Sequence, residues 1–153
     1  MNDEKYMKMA LREAAKAAAA GEIPVGCVIV SASGEVLARA HNQVEKRANS
    51  TLHAEMVAMG RAMKKVGEKY LMGSTIYITL EPCPMCTAAI SWAKVGRIVY
   101  GAKEDKNGGL FVLEHARHFF KPKVVGGICA EESSEMLKEF FKSIRGKNSS
   151  FRA

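Results

Sequence analysis

The chain has 153 residues, 48% of them hydrophobic, and a formal charge of +7 from 23 Lys+Arg against 16 Asp+Glu. That length suits one domain over residues 1–153, burying about two-thirds of its unfolded surface around a single core. With no charged-then-apolar leader and no apolar run near the ~18 residues of a membrane span, the expectation is a soluble cytoplasmic protein with no membrane partner, in which four cysteines serve metal binding or chemistry rather than disulfides.

In chain order, residues 3–20 hold mostly Ala, Met, Lys, Glu and Arg, which predicts a helix capped by Asn2 or Asp3 and ended by Gly21 and Pro24. Residues 25–30 form a continuous apolar, β-branched run, the pattern of a strand buried on both faces. Ser33-Gly34 turns the chain into a second strand over 35–41, giving a hairpin, and a polar loop from Asn42 to Ser50 follows. Ser50 or Thr51 can cap a helix over about 52–65, in which Met56, Met59 and Met63 fall at core spacing. Residues 75–80 read as a strand, and Pro82 and Pro84 mark a turn into a helix running to about Val95. Short strands at 97–100 and 123–125 flank a glycine- and lysine-rich loop and a short helical piece around 110–118, and a last helix spans 131–145. A hairpin followed by alternating helices and strands predicts a three-layer α/β/α sandwich around a mixed five-stranded sheet, with the last two strands parallel.

The chemistry concentrates in two places. Cys83 and Cys86 stand three apart in the first turn of one helix, and His53 opens another. Two thiols and an imidazole make the three protein ligands of a catalytic zinc, whose fourth position belongs to water. Glu55 lies two residues from His53, close enough to reach that water without being a ligand, as general acid/base work requires. In mid-helix, residues two apart point about 200° away from each other, so His53 and Glu55 converge only at the helix entrance. Helix N-termini also favour thiolates, the metal-binding form of cysteine.

Blander readings exist for most of these residues. A lone Cys-x-x-Cys can be a redox pair, and a structural zinc would need Cys27 or Cys129 as its fourth ligand; both thiols sit in apolar surroundings and read as small buried hydrophobes. His115 and His118, three apart among Lys and Arg, read as a surface face rather than a second metal site. Trp92 reads as core or dimer interface, and Gly108-Gly109, without the lysine of a phosphate loop, as a turn. Of the adjacent Phe140 and Phe141, one belongs to the core. Residues 138–153 carry Lys138, Lys142, Arg145, Lys147 and Arg152 against Glu139, four of the seven excess positive charges, which suits a polyanion or simply a solvated helix end.

The His53-Ala54-Glu55 and Pro82-Cys83-Pro84-Met85-Cys86 motifs resemble the zinc-dependent cytidine/deoxycytidylate deaminase superfamily. Within it the likeness is to the bacterial adenosine deaminases that act on tRNA. It extends over most of the chain, including Gly21 to Gly26, Asn42, residues 96–103, and Glu139-Phe140-Phe141 with Arg145. The resemblance implies the cytidine deaminase-like fold, one Zn²⁺ per subunit on His53, Cys83 and Cys86, a homodimer, and conversion of the wobble adenosine of a tRNA anticodon loop to inosine. It implies Glu55 as proton carrier, with Asn42 and the Ala54 N–H binding the base and Phe140, Phe141 and Arg145 meeting the anticodon nucleotides by stacking and phosphate contact. Asn49-Ser50 replaces a usual Asp-Pro pair, and the stretch between Gly101 and Val124 is a few residues short. The alternatives are a deaminase of a free nucleobase or nucleoside, guanine or cytosine, with the same zinc site, and a zinc-stabilised RNA-binding protein without catalysis. The second would have no use for Glu55.

Overall fold

The computed structural model describes residues 2–117 and 119–146; His118, Lys147 and Arg152 lie outside the described residues. Helix α1 (Asp3–Ala19) starts at Asn2, whose side-chain oxygen accepts the Lys5 N–H at 3.1 Å. It is followed by β1 (Gly26–Val30), β2 (Val36–His41), α2 (Ala54–Val66), β3 (Thr75–Leu80), α3 (Pro84–Trp92), β4 (Arg97–Ala102), α4 (Val112–His115), β5 (Lys123–Val125) and α5 (Ala130–Arg145). The sheet order is β2-β1-β3-β4-β5, with β1 antiparallel to both β2 and β3, and β3, β4 and β5 mutually parallel. The expected mixed sheet and its parallel last pair are both present.

Period-two alternation splits the core into two layers. Cys27, Ile29, Ile76, Ile78 and Ile98 face α2, α3 and α4, where Ala58, Met59, Ala62, Ile90 and Leu113 meet them. Val28, Val30, Tyr77 and Val99 face the opposite way against Tyr6, Met7, Met9 and Ala10 of α1, and α5 packs beside α1 on that face. Because both faces are covered, β1 is buried at all five positions, as its unbroken apolar run predicts. Gly26 is required there: a Cβ would lie 1.9 Å from the Ala10 carbonyl oxygen, so only glycine lets α1 approach β1 this closely.

Some readings of single residues hold and others are corrected. Trp92, the last residue of α3, is 75% exposed in this chain, which excludes the core and leaves the interface reading. Helix α3 ends there rather than at Val95, since Lys94 takes a left-handed φ of 60° and breaks the helical path. Cys27 is fully buried, but Cys129 is only half-buried at the left-handed start of α5. Met59 is core, whereas Met56 and Met63 are half-buried at its margin. His115 is exposed at the end of α4, and a described metal-ligand group includes neither it nor any other surface histidine.

One long-range tie leaves no mark on local sequence. Asp3 receives both Arg97 amino groups, at 3.1 and 2.8 Å, and the Tyr77 hydroxyl at 2.8 Å, fastening the first turn of α1 to β3 and β4. Arg97 holds the Asp3 carboxyl below its ordinary value of 3.8, with the Tyr77 hydroxyl adding to the effect against partial burial. A carboxyl whose folded pKa is depressed stabilises the fold above its unfolded pKa and loses that contribution as pH falls through the folded value. An Asp3→Asn variant is therefore expected to lose about 1–2 kcal/mol of stability at pH 7. Urea denaturation checks this, and the deficit should shrink below the ordinary carboxyl range, about pH 4.

Candidate zinc centre

The site forms at the carboxyl end of the parallel β3–β4 pair, where two helices begin. His53 is the residue before α2, in extended conformation (φ −65°, ψ 155°), so its ring swings away from the helix while Glu55 sits in the first turn. The cap is thus His53 itself and not Ser50 or Thr51; the extended backbone is what lets two residues so close in sequence face one point. Asn49, standing where Asp-Pro is usual, accepts the Thr51 N–H at 2.9 Å and the Thr51 hydroxyl at 2.7 Å, so an Asx turn shapes the approach to α2. Cys83 caps α3 in the same extended manner, with Pro84 at the first helical position and the Cys86 N–H 3.5 Å from the Cys83 sulfur.

The His53 Nδ1 lies 3.6 Å from Cys83 Sγ and 3.5 Å from Cys86 Sγ, and the three ligand atoms all fall within 4.8 Å of one another. Zinc bonds of about 2.3 Å to sulfur and about 2.0 Å to nitrogen, at the tetrahedral angle, put nitrogen and sulfur about 3.5 Å apart. Both measured edges match, so the donor set fits a tetrahedral zinc on three protein ligands. The group comprises His53, Cys83 and Cys86 and does not extend to Cys27, Cys129 or Glu55. Cys86 is fully buried, and His53 and Cys83 are half-buried.

The electrostatics suit a cation. A hydrogen bond from Cys86 brings the Cys83 thiol down to about 4, with the His53 contact acting in the same direction. Cys86 is pushed up, first by Cys83 and then by burial. The two thiols are thus coupled to each other, and a divalent cation held by His53, Cys83 and Cys86 would bind both as thiolates. His53 is raised, chiefly by its contact with Cys83. Glu55 is 3% exposed, and burial pushes its carboxyl up against the opposing pull of its backbone N–H and of His53. A carboxyl raised by desolvation is suited to carry a proton near neutral pH.

A cleft of about 360 Å³ opens over these groups, lined by His53, Glu55 and Cys83 together with Asn42, Leu137 and Phe141, among others. Asn42, 7% exposed, accepts the Ala54 N–H at 2.8 Å through its Oδ1 and donates to the Ile23 carbonyl at 3.2 Å. The two residues expected to meet the base are thus joined to each other. Of the α5 residues, Phe141 lines the cleft, Phe140 is the core member of the pair, with its ring 5.5 Å from that of Phe141, and Arg145 is exposed outside the lining.

Sequence reasoning missed the groups that hold the walls. Glu22 and Glu81, 1% and 8% exposed, both reach the cleft. Glu81 accepts the Glu104 N–H at 3.3 Å from the loop after β4. In that loop Gly109 donates to the Pro82 carbonyl at 2.8 Å, and a Cβ on it would lie 2.1 Å from Pro84 N. The Gly108-Gly109 pair, read as a simple turn, is packed against the site: Gly109 lies on the Cys83–Pro84 backbone and Gly108 against Glu81 and Glu104.

Three donors that fit a zinc ion beside a buried carboxyl, in a cleft at the carboxyl end of parallel strands, define a zinc-dependent hydrolase of the deaminase class. Residues 1–102 match the family model for the cytidine and deoxycytidylate deaminase zinc-binding region. The chain is 42% identical to a tRNA-specific adenosine deaminase of Bacillus subtilis (strain 168), over 98% of this chain and 95% of that one, and 40% identical to one of Aquifex aeolicus (strain VF5), over 95% and 97%. A structure solved in a study of A-to-I editing by tRNA:A34 deaminases at the wobble position superposes with a TM-score of 0.83 at 36% identity, covering 87% of this chain and 99% of that one. The chain belongs to the cytidine and deoxycytidylate deaminase family, in the branch of the tRNA-specific adenosine deaminases.

Removing any one ligand should empty the site. His53→Ala, Cys83→Ala and Cys86→Ala are each expected to fall well below about one bound zinc per chain, because a two-ligand remnant cannot close a tetrahedral site. A Cys27→Ala, Cys129→Ala double variant should keep its full complement, as metal analysis of the purified proteins would show.

Proposed function

We propose that this protein deaminates adenosine at the wobble position of a tRNA anticodon loop, giving inosine and ammonia, with zinc held by His53, Cys83 and Cys86. The observation that carries the chemistry is the buried Glu55 carboxyl beside a tetrahedral nitrogen–sulfur–sulfur set and outside its ligand group. Bound there, zinc supplies a Lewis acid that lowers the pKa of a water enough for it to attack at neutral pH. Glu55 takes one proton of the attacking water and passes it to ring N1 of the purine; it then takes the remaining proton from the hydroxyl now bonded to C6 and gives it to the amino group, so that the C6–N bond breaks, ammonia leaves and the C6 carbonyl of inosine forms. Its burial, which raises its proton affinity, is what lets one carboxyl serve in both directions.

Asn42 holds the base. An amide nitrogen has two hydrogens, and with one given to the Ile23 carbonyl the other is available to the purine. The Ala54 N–H acts through Asn42 by fixing its amide oxygen. Phe141, with Leu137 a helical turn before it, offers an apolar wall for the flipped base, and Phe140 supports Phe141 from behind. The exposed Lys138, Lys142 and Arg145 of α5 carry the charge that phosphates need. The partner is accordingly the anticodon loop in the cytoplasm, and residues 1–153 act as one domain. A homodimer fits the exposed Trp92 and Met72, 75% and 69% accessible, which flank the Leu71 N–H to Ala93 carbonyl bond.

The test offers zinc-loaded protein an anticodon stem-loop with A at the wobble position, alongside free guanine, adenine and cytosine, and follows ammonia and inosine. The stem-loop should be deaminated and the free bases left intact. Glu55→Ala should lower the rate by about 10²–10⁴-fold while keeping its zinc. Turnover of a free base with the RNA untouched would replace the substrate; turnover surviving in Glu55→Ala would remove Glu55 from the mechanism.

A further inference from the structure

Glu22 is the most buried charged side chain of the described residues that the chemistry above does not use. It follows Gly21, whose left-handed φ of 78° ends α1, and its side chain is 1% exposed on the wall of the cleft. Its two oxygens are taken by one pair of donors: Oε1 accepts the Glu45 N–H at 3.0 Å and Oε2 the Lys46 N–H at 2.7 Å. These donors belong to the turn over residues 44–48, a single helix-like turn in which Arg47 N–H reaches the Gln43 carbonyl at 3.1 Å and Asn49 N–H the Val44 carbonyl at 3.0 Å. Like the first residues of any helical turn, Glu45 and Lys46 have no earlier carbonyl to bond, and the carboxylate of Glu22 stands in for it. The turn itself is exposed from Glu45 to Ala48, so Glu22 is what pins it from beneath.

The turn matters because of what it carries. It begins two residues after Asn42, it contributes Val44 and Glu45 to the cleft, and it sets Lys46 and Arg47 in solvent. We propose that Glu22 is a positioning residue for substrate: its buried carboxylate, by accepting two successive backbone N–H groups, fixes the 44–48 turn as the cleft wall opposite α5 and holds the Lys46–Arg47 pair where a phosphate backbone would pass. This rests on the RNA reading of the site. A fork of two acceptor oxygens is what two successive N–H groups demand. Glutamine has one such oxygen and would face the second N–H with its own NH₂, so donor would meet donor. The bonds of Glu22 go to the turn, whereas Asn42 is held by the Ala54 N–H and the Ile23 carbonyl and the metal-ligand group is His53, Cys83 and Cys86, so zinc binding does not draw on Glu22.

The experiment compares zinc-loaded wild type and Glu22→Gln by zinc content, by kinetics on the anticodon stem-loop, and by amide hydrogen exchange resolved at Glu45 and Lys46. In the variant, zinc should be unchanged, KM about tenfold higher and kcat within about threefold, the split expected when binding and not the chemical step is impaired. Exchange at those two amides should be about tenfold faster or more, with other protected amides unmoved. Kinetics equal to wild type, or loss of zinc with kcat and KM falling together, would overturn the proposal. Should Glu22→Gln fail to fold, the wild type still decides: slow exchange at Glu45 and Lys46 in an otherwise exposed turn supports the clasp, and exchange at the rate of free amides refutes it. Wild type inactive on the stem-loop would instead refute the RNA substrate, and the exchange comparison would then judge the clasp alone.

Discussion

Two thiol sulfurs held about 3.5 Å from one imidazole nitrogen set the terms for the rest of the molecule. The distances from His53 Nδ1 to Cys83 Sγ and Cys86 Sγ, 3.6 and 3.5 Å, are the edges of a metal tetrahedron, and they join two helices far apart in sequence. Each helix begins with an extended capping residue, His53 or Cys83, so that a ligand can point out of the helix start instead of along its side. The sheet makes this possible. Antiparallel β1 and parallel β4 on either side of β3 bring the Ile23–Val25 segment, the end of β2 and the loop after β4 to the same edge, where β3 hands over to Cys83.

Around that edge, polar groups buried near the metal are used to hold backbone. Asn42 fixes the Ala54 N–H at the start of α2, Glu81 takes the Glu104 N–H, and Thr79 joins the Gly26 N–H to β3 while its carbonyl accepts the Ser133 hydroxyl of α5. The first two bonds hold a helix start and a loop, and the Thr79 pair ties β1 and α5 to the end of β3. Charged acceptors hold such loops more firmly than neutral ones, and their burial keeps water from competing. Precise placement of a metal and its proton carrier depends on this outer support. Gly109 contributes by lacking a side chain, which lets the loop after β4 lie on the Cys83–Pro84 turn.

Much of this was legible from the residues alone. The strands announced themselves by β-branched runs bounded by glycine and proline, and the two-sided burial of β1 followed from its lack of alternation. The ligand triad and Glu55 could be named because zinc chemistry demands few residue types at narrow spacings, and the spacing between His53 and Glu55 demanded a helix start. What stayed hidden is the set of contacts made across the chain: Asp3 with Arg97 and Tyr77, Glu22 with the 44–48 turn, Gly109 against Pro84. A buried glutamate between a glycine and an isoleucine shows no periodicity, and nothing local tells it from a surface charge. Residue type alone could not choose between core and interface for Trp92; its exposure at the end of α3 excludes the core.

The central claim is that the metal has three protein ligands and one position open to water. X-ray absorption at the zinc edge of the loaded protein tests it most directly. The expected result is a four-coordinate shell of two sulfurs at about 2.3 Å and two lighter atoms, one imidazole nitrogen and one exchangeable oxygen, at about 2.0 Å. A shell of three or four sulfurs would show that Cys27 or Cys129 completes a closed site, and would leave Glu55 with no water to activate.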